Sequence, residues 1–103
     1  MDLLEAIQKR HAVRKYTTQP IPADIITALR DEITACNQAG GLHIQLITNE
    51  PAAFGSVLTH YGFFSNVRNY VALIGKKDAA LDEKIGYYGE KIALRAQQLG
   101  LNT

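Results

Sequence analysis

Apolar positions spaced three and four residues apart predict three helices in this chain. The first covers residues 2–10, and the second begins at about residue 22 and ends near residue 37. The third, residues 81–99, has the most regular pattern. The apolar positions are Leu3, Leu4 and Ile7 in the first helix and Leu81, Ile85, Tyr88, Ile92, Ala96 and Leu99 in the third.

Proline, acidic and glycine residues mark the expected ends of these helices. Pro22 is predicted at the first position of the second helix, where the missing N–H group has no intrahelical partner to lose. Asp24 places a negative charge in the first turn, which the helix dipole favours. Gly40 and Gly41 are expected to stop the second helix, and Gly100 the third.

Residues 42–48 alternate between apolar and polar side chains, as a half-buried strand does. The alternation places Leu42, Ile44 and Leu46 on one face and His43 on the opposite face. We therefore expect a strand that packs one side on the core and exposes the histidine.

A second strand is predicted for residues 69–75, where the apolar run is nearly continuous, as in a strand covered on both faces. Between the strands, Asn49 and Pro51 predict the start of a short helix, which an aromatic loop follows. The rings of this loop either pack beside the core or form a wall against a planar ligand or a partner chain. They belong to His60, Tyr61, Phe63 and Phe64.

Helices packed on a small sheet place the chain in the α+β class, as a single domain over residues 1–103. A sheet of two strands leaves backbone groups unpaired at its edges. We therefore expect either a further chain that supplies strands or a truncated domain.

Composition and charge exclude several classes of protein. Hydrophobic residues make up 47% of the chain and charged residues 20%, as in a folded domain with a core. The formal net charge of +1 gives no global attraction for nucleic acid or an anionic membrane, so any anion site must be local. The single cysteine, the absence of metal-ligand spacing and the absence of a secretory or membrane-spanning segment favour a cytoplasmic protein without a metal.

Five basic or potentially basic side chains are concentrated in QKRHAVRKY, residues 8–16. Arg10 and Arg14 share one face if the first helix continues, and surround a common hollow if it unwinds at His11. Either geometry suits a phosphate group, because guanidinium groups form charge-assisted and often bidentate hydrogen bonds. The alternative is a solvated helix end whose cations complement the helix dipole.

Two further features have a structural and a functional interpretation. Cys36 lies on the apolar side of its predicted helix, which favours a buried, inert thiol over a nucleophile. Tyr87 and Tyr88 lie between Gly86 and Gly89, and glycines inside a helix imply close packing against a backbone or a ligand. We expect one of these tyrosines in the core and the other facing a pocket or an interface.

The segment LLEAIQKRHAVRKYTTQPIP contains a predicted helix that ends in a basic signature, followed by an aromatic residue and a proline-rich connector. It resembles the opening of the flavin-dependent nitroreductase family. GLHIQLITNEPAAF, HYGFFSNVRNYVALIGKKD and EKIGYYGEKIALRAQQLGLNT resemble later segments of one nitroreductase subgroup. The resemblance covers essentially the whole chain. Family members continue further, so the chain is expected to correspond to an N-terminal portion of a nitroreductase-like fold.

The resemblance implies a binding site for the phosphate and ribityl groups of flavin mononucleotide (FMN) in the basic segment. At position 12 the family usually has a serine, and the alanine here leaves only a backbone N–H group or a contact. By position in the last helix, one of two tyrosines would line the acceptor pocket near the flavin. The residues implied are Arg10, His11, Ala12 and Arg14 for FMN, and Tyr87 or Tyr88 for the pocket.

The activity implied is that of a homodimeric oxidoreductase in which bound FMN carries electrons from NAD(P)H to a nitro- or quinone-like acceptor. The alternative is a truncated, non-catalytic dimerising domain or fragment that does not retain flavin, which Ala12 favours. A nucleic-acid binder is disfavoured, because the net charge is only +1 and the aromatic residues do not alternate with the basic ones.

Overall fold

The computed structural model describes residues 1–50 and 67–103 of the chain. Three helices and a two-stranded antiparallel sheet in this part confirm the α+β prediction. The predicted short helix and most of the aromatic loop, with His60, Tyr61, Phe63 and Phe64, lie outside the described residues. In chain order the elements are α1 (Leu3–Lys9), α2 (Ala23–Gly40), β1 (Gln45–Ile47), β2 (Tyr70–Ala72) and α3 (Leu81–Gln98).

The two strands pair in one register that extends beyond the regular ladder. Leu46 lies opposite Val71 at the centre of the pairing. At the far end, Leu42 and Gly75 form an isolated antiparallel bridge. The N–H of His43 donates to the carbonyl oxygen of Ile74 at 2.8 Å. Strand-like pairing therefore covers most of the two predicted segments, although the regular strands have three residues each.

The core lies between one face of the sheet and the helices α2 and α3. Its buried members come from all three parts and are joined by half-buried side chains of β1, β2 and α3. This confirms the inward face predicted for the first strand, with His43 exposed on the other side. The buried members are Ile33, Cys36, Leu42, Ile44 and Ile92, and the half-buried ones are Leu46, Val71, Leu81, Ile85 and Tyr88.

Glycines terminate both long helices in the left-handed conformation. Gly41 has φ of 64° at the end of α2, and Gly100 has φ of 85° after α3. Beyond α3, the N–H of Leu101 donates to the carbonyl oxygen of Ala96 at 2.9 Å, and that of Gly100 to Gln97 at 3.1 Å. These two bonds form a Schellman motif, which satisfies carbonyl groups at the helix end. The predicted stop signals are confirmed.

The side chain of Asn37 covers part of one sheet edge. Its Nδ2 donates to the carbonyl oxygen of Ile44 at 3.0 Å, and its Oδ1 accepts from the N–H of Ile44 at 2.8 Å. Because His43 bonds to β2, alternation along an antiparallel strand directs the polar groups of Ile44 away from β2. At this position one amide side chain thus makes the hydrogen bonds that a neighbouring strand would make.

One expectation about burial is wrong. Leu73 and Ile74 are each 46% exposed, so the apolar run around β2 is not covered on both faces at this end. The apolar stripe of α1 is also exposed, with Leu3 at 51%, Leu4 at 71% and Ile7 at 57%. The residue that α1 buries is Ala6, and among the described elements this helix packs only against α3.

The helix bounds differ slightly from those predicted. Helix α2 begins at Ala23, with Pro22 as the residue before it, and continues to Gly40 rather than ending near residue 37. The helix can include Gly40 because the left-handed turn comes one residue later. None of the three described helices has the length and apolar character needed to cross a bilayer.

Candidate functional site

The basic segment begins where α1 ends. The carboxylate of Asp2 caps the start of this helix by accepting from the N–H of Glu5 at 2.8 Å. The last helical residue is Lys9, and Arg10 follows with extended angles, φ −62° and ψ 131°. Arg10 and Arg14 therefore do not share a helical face. Of the two geometries that the sequence left open, the structure has the one in which the helix unwinds.

Two hydrogen bonds hold the segment after the helix. The N–H of Val13 donates to the carbonyl oxygen of Thr103 at 2.9 Å, which ties the segment to residues that follow α3. The hydroxyl of Tyr16 donates to the carbonyl oxygen of Val13 at 2.6 Å. Burial raises the pKa of Tyr16, and the positive charge of Arg14 acts in the opposite direction. The chain around Arg14 is therefore anchored on both sides.

The cationic groups of this segment have no acidic partners within the described part of the chain. There, the single ion pair within 4 Å joins Lys84 and Asp78 at 3.8 Å. Arg10 is half-buried, whereas His11, Ala12 and Arg14 are exposed. The Nδ1 of His11 lies 3.0 Å from the carbonyl oxygen of Lys9, to which the Nδ1–H tautomer donates. Among the described residues, no carboxylate therefore neutralises either guanidinium group.

The two tyrosines of α3 have different surroundings. Tyr88 packs against the core, and its Cε2 lies 2.7 Å from the position that a Cβ on Gly40 would occupy. Tyr87 is 65% exposed, and the two rings meet edge to face with centroids 4.9 Å apart. They border an open cleft of about 320 Å³. Its lining residues are Ala80, Glu83, Lys84, Tyr87 and Tyr88.

The basic segment and the tyrosine cleft lie toward opposite ends of α3. Val13 is bonded to Thr103, shortly after the helix ends at Gln98. Tyr87 lies eleven residues before that end, which corresponds to about 16 Å along the helix axis. The described part of one chain therefore does not bring the two groups of candidate residues together.

A second cleft, of about 350 Å³, lies where α1, α2 and α3 approach one another. No sequence pattern indicates this place, because its residues are far apart in the chain. Nearby, the thiol of the buried Cys36 donates to Oε1 of Glu32 at 3.9 Å. Burial, followed by the charge of Glu32, raises the pKa of this thiol. The cleft is lined by Leu3, Glu32, Lys91, Arg95 and Gln98.

The expected burial of Cys36 is confirmed, and the raised pKa favours the protonated thiol at neutral pH. Among the described residues, no three His, Cys, Asp or Glu side chains are grouped so that they could hold a metal ion.

Comparison with known proteins identifies the family. No curated protein and no solved structure matches the chain. A family model described as "Putative TM nitroreductase" matches residues 2–103, which is essentially the whole chain. The helices and the small sheet are consistent with that match. The protein therefore belongs to this nitroreductase family and is, at that level, a nitroreductase-like oxidoreductase.

Proposed function

We propose that the chain binds FMN and uses it to transfer electrons from NAD(P)H to a nitro- or quinone-like acceptor. Membership of the nitroreductase family supports this reaction class. The observation that carries the cofactor assignment is the basic segment, where two guanidinium groups lack acidic partners among the described residues. Arg10 and Arg14 would bind the phosphate, and His11 would add a donor.

Electrostatics favours a dianion at this segment despite its position after a helix. The carboxyl end of a helix dipole is negative and therefore repels phosphate. Helix α1 has only seven residues, and its partial charge is about half an elementary charge. Two full positive charges outweigh that repulsion. The phosphate would also gain charge-assisted hydrogen bonds from the arginines.

Position 12 is compatible with FMN but contributes less than a serine would. Ala12 is exposed, and its backbone N–H donates to none of the described residues, so this group could reach a phosphate oxygen. Ala12→Ser should strengthen FMN binding about fivefold, because one added neutral hydrogen bond is worth about 1 kcal/mol.

In this proposal the cofactor and the protein residues have different roles. When bound, FMN supplies the redox chemistry. The basic segment would hold the phosphate end, and Tyr87 or Tyr88 would form a wall for the acceptor. Tyr87 is suited to this role because its ring is largely exposed beside a cleft, whereas Tyr88 also packs on the core.

The test is the flavin content of a double variant, Arg10→Ala with Arg14→Ala. Each charge-assisted bond is worth about 1.5–3 kcal/mol, so losing both should weaken FMN binding by at least about a hundredfold. The variant should purify without the oxidised-flavin absorbance bands of the wild type. Lys76→Ala with Lys77→Ala is the matched control, since it removes the same charge from two exposed positions. Equal flavin retention in the arginine variant would contradict the proposal.

We also propose that the chain forms a homodimer through α1. Leu3, Leu4 and Ile7 on this one short helix are each about half or more exposed, and so is Met1 just before it. Glu5 and Lys9 are also exposed on α1, one turn apart. In an antiparallel pairing of two such helices, each glutamate can meet the lysine of the other copy. This complementarity favours a second copy as the partner.

Sedimentation of the wild type and of Leu4→Glu with Ile7→Glu tests the dimer. We expect a dimer for the wild type and a monomer for the variant, because paired helices would bury two carboxylates per copy in an apolar contact. Thr34→Glu, at an exposed position of α2, is the control and should remain dimeric. A monomeric wild type would rule out the homodimer, and a dimeric double variant would place the interface elsewhere.

A non-catalytic dimerising domain is the second candidate, and Ala12 favours it because the serine hydroxyl is missing. The absorbance spectrum of the purified wild type separates the two candidates. Oxidised-flavin bands support the enzyme, whereas a colourless dimer that also fails to take up added FMN supports the non-catalytic domain.

A further inference from the structure

Two hydrogen bonds meet at Val13, the residue before Arg14. Its N–H donates to Thr103, and its carbonyl oxygen accepts from the hydroxyl of Tyr16 at 2.6 Å. The second bond closes a short loop that contains Arg14. Because the pKa of the half-buried Tyr16 is raised, its hydroxyl remains protonated and can donate at neutral pH.

Arg10 and Arg14 are both anchored through the backbone beside them. The N–H of Arg10 donates to the carbonyl oxygen of Ala6 at 2.9 Å, as the last bond of α1. Arg14 lies in the loop that the bond between Tyr16 and Val13 closes, and its charge is close enough to act on the hydroxyl of Tyr16. The spacing between the two arginines therefore depends on the bonds at Val13 as well as on the end of α1.

We propose that Tyr16 is a positioning residue that fixes Arg14 relative to Arg10 through its hydrogen bond to the carbonyl of Val13. The inference rests on the proposed function, in which these arginines bind the phosphate of FMN. Donors held in place before binding lose less conformational freedom when the ligand arrives. Tyr16 itself needs no contact with the flavin. Because it acts through Arg14, it should affect only the binding of ligands that carry the phosphate.

The experiment compares FMN with riboflavin, which lacks the phosphate, by quenching of flavin fluorescence. Tyr16→Phe removes only the hydroxyl and should weaken FMN binding about three- to tenfold, the range expected for ordering one flexible side chain on binding. Riboflavin binding should not change. Tyr70→Phe, which alters a half-buried tyrosine of β2, is the control and should leave both affinities as in the wild type.

A double-mutant cycle with Arg14→Ala separates positioning from general destabilisation. If Tyr16 acts through Arg14, then Tyr16→Phe should have no further effect on FMN binding in the Arg14→Ala background. Equal losses for FMN and riboflavin, or additive losses in the cycle, would overturn the inference.

The outcomes also separate this inference from the proposal beneath it. If Arg10→Ala with Arg14→Ala abolishes FMN binding while Tyr16→Phe has no effect, only the role of Tyr16 fails. If the double arginine variant binds FMN as the wild type does, both fail together.

Discussion

The two ends of α3 support different kinds of structure. From Leu81 to Ile92, α3 packs with α2 and the sheet around five buried side chains. Near the end of α3, α1 lies on it and buries Ala6, Ala96 of α3 is also buried, and the basic segment is held by the hydrogen bonds at Val13. The first region buries an apolar core against a hydrogen-bonded sheet, although Leu73 and Ile74 beside β2 remain 46% exposed. The second leaves apolar side chains and cations exposed, as expected of a surface that binds other molecules.

The two regions should differ most in how much stability is lost when a large apolar side chain is shortened to alanine. Ile44→Ala should lower the free energy of unfolding by about 2–5 kcal/mol, because it leaves a cavity in the core. Leu4→Ala should change it by less than about 0.5 kcal/mol, since its side chain is largely in water. Urea unfolding at a protein concentration too low for self-association measures both. Equal losses would mean that α1 is as well packed as the core.

Asn37→Ala should have the next largest effect. It would leave the N–H and carbonyl of Ile44 without their partner, at a cost of about 1–3 kcal/mol. Asn37→Asp keeps the acceptor but not the donor and should lie between that value and the wild type. Gln38→Ala, an exposed neighbour on α2, should be close to neutral. If Asn37→Ala were equally neutral, water would be an adequate partner for this sheet edge.

The smallest effect concerns the pH dependence contributed by Cys36. Its pKa in the folded state is raised above the ordinary 9.0, so the unfolded chain loses the proton first as the pH rises. The stabilisation is therefore complete below pH 9.0 and is lost as the pH rises toward the folded-state pKa. Cys36→Ala should remove this part of the decrease in stability at alkaline pH. The midpoint of urea unfolding, measured between pH 8 and pH 10, would show this difference. The same change of midpoint with pH in both proteins would contradict it.

Periodicity predicted the helices well because each depends on local repetition. The pattern from Leu81 to Leu99 identified the side of α3 that faces the core, and Gly41 and Gly100 identified where two helices end. The same reasoning located α1 but did not indicate what this helix packs against. An apolar stripe indicates that a helix has a side to bury, but it does not say whether the partner is this chain or another.

The candidate site was predictable as a set of residues but not as an arrangement. The sequence located the basic segment and the two tyrosines, yet only the fold shows them toward opposite ends of α3. Asn37, Tyr16 and Thr103 were missed. Their roles depend on contacts between distant parts of the chain, or on a loop conformation that no local pattern encodes.

By itself the sequence determined the α+β class, the three described helices, the inward face of β1 and the concentration of cations after α1, since these follow from spacing and residue type. Tertiary structure decided what each feature contacts. It made Gly40 a close neighbour of the Tyr88 ring as well as part of a helix stop, and it made Asn37 a substitute for a strand. It also left the apolar side chains Leu3, Leu4 and Ile7 of α1 exposed. Burial and pairing are properties of two surfaces, and a pattern along the chain specifies only one of them.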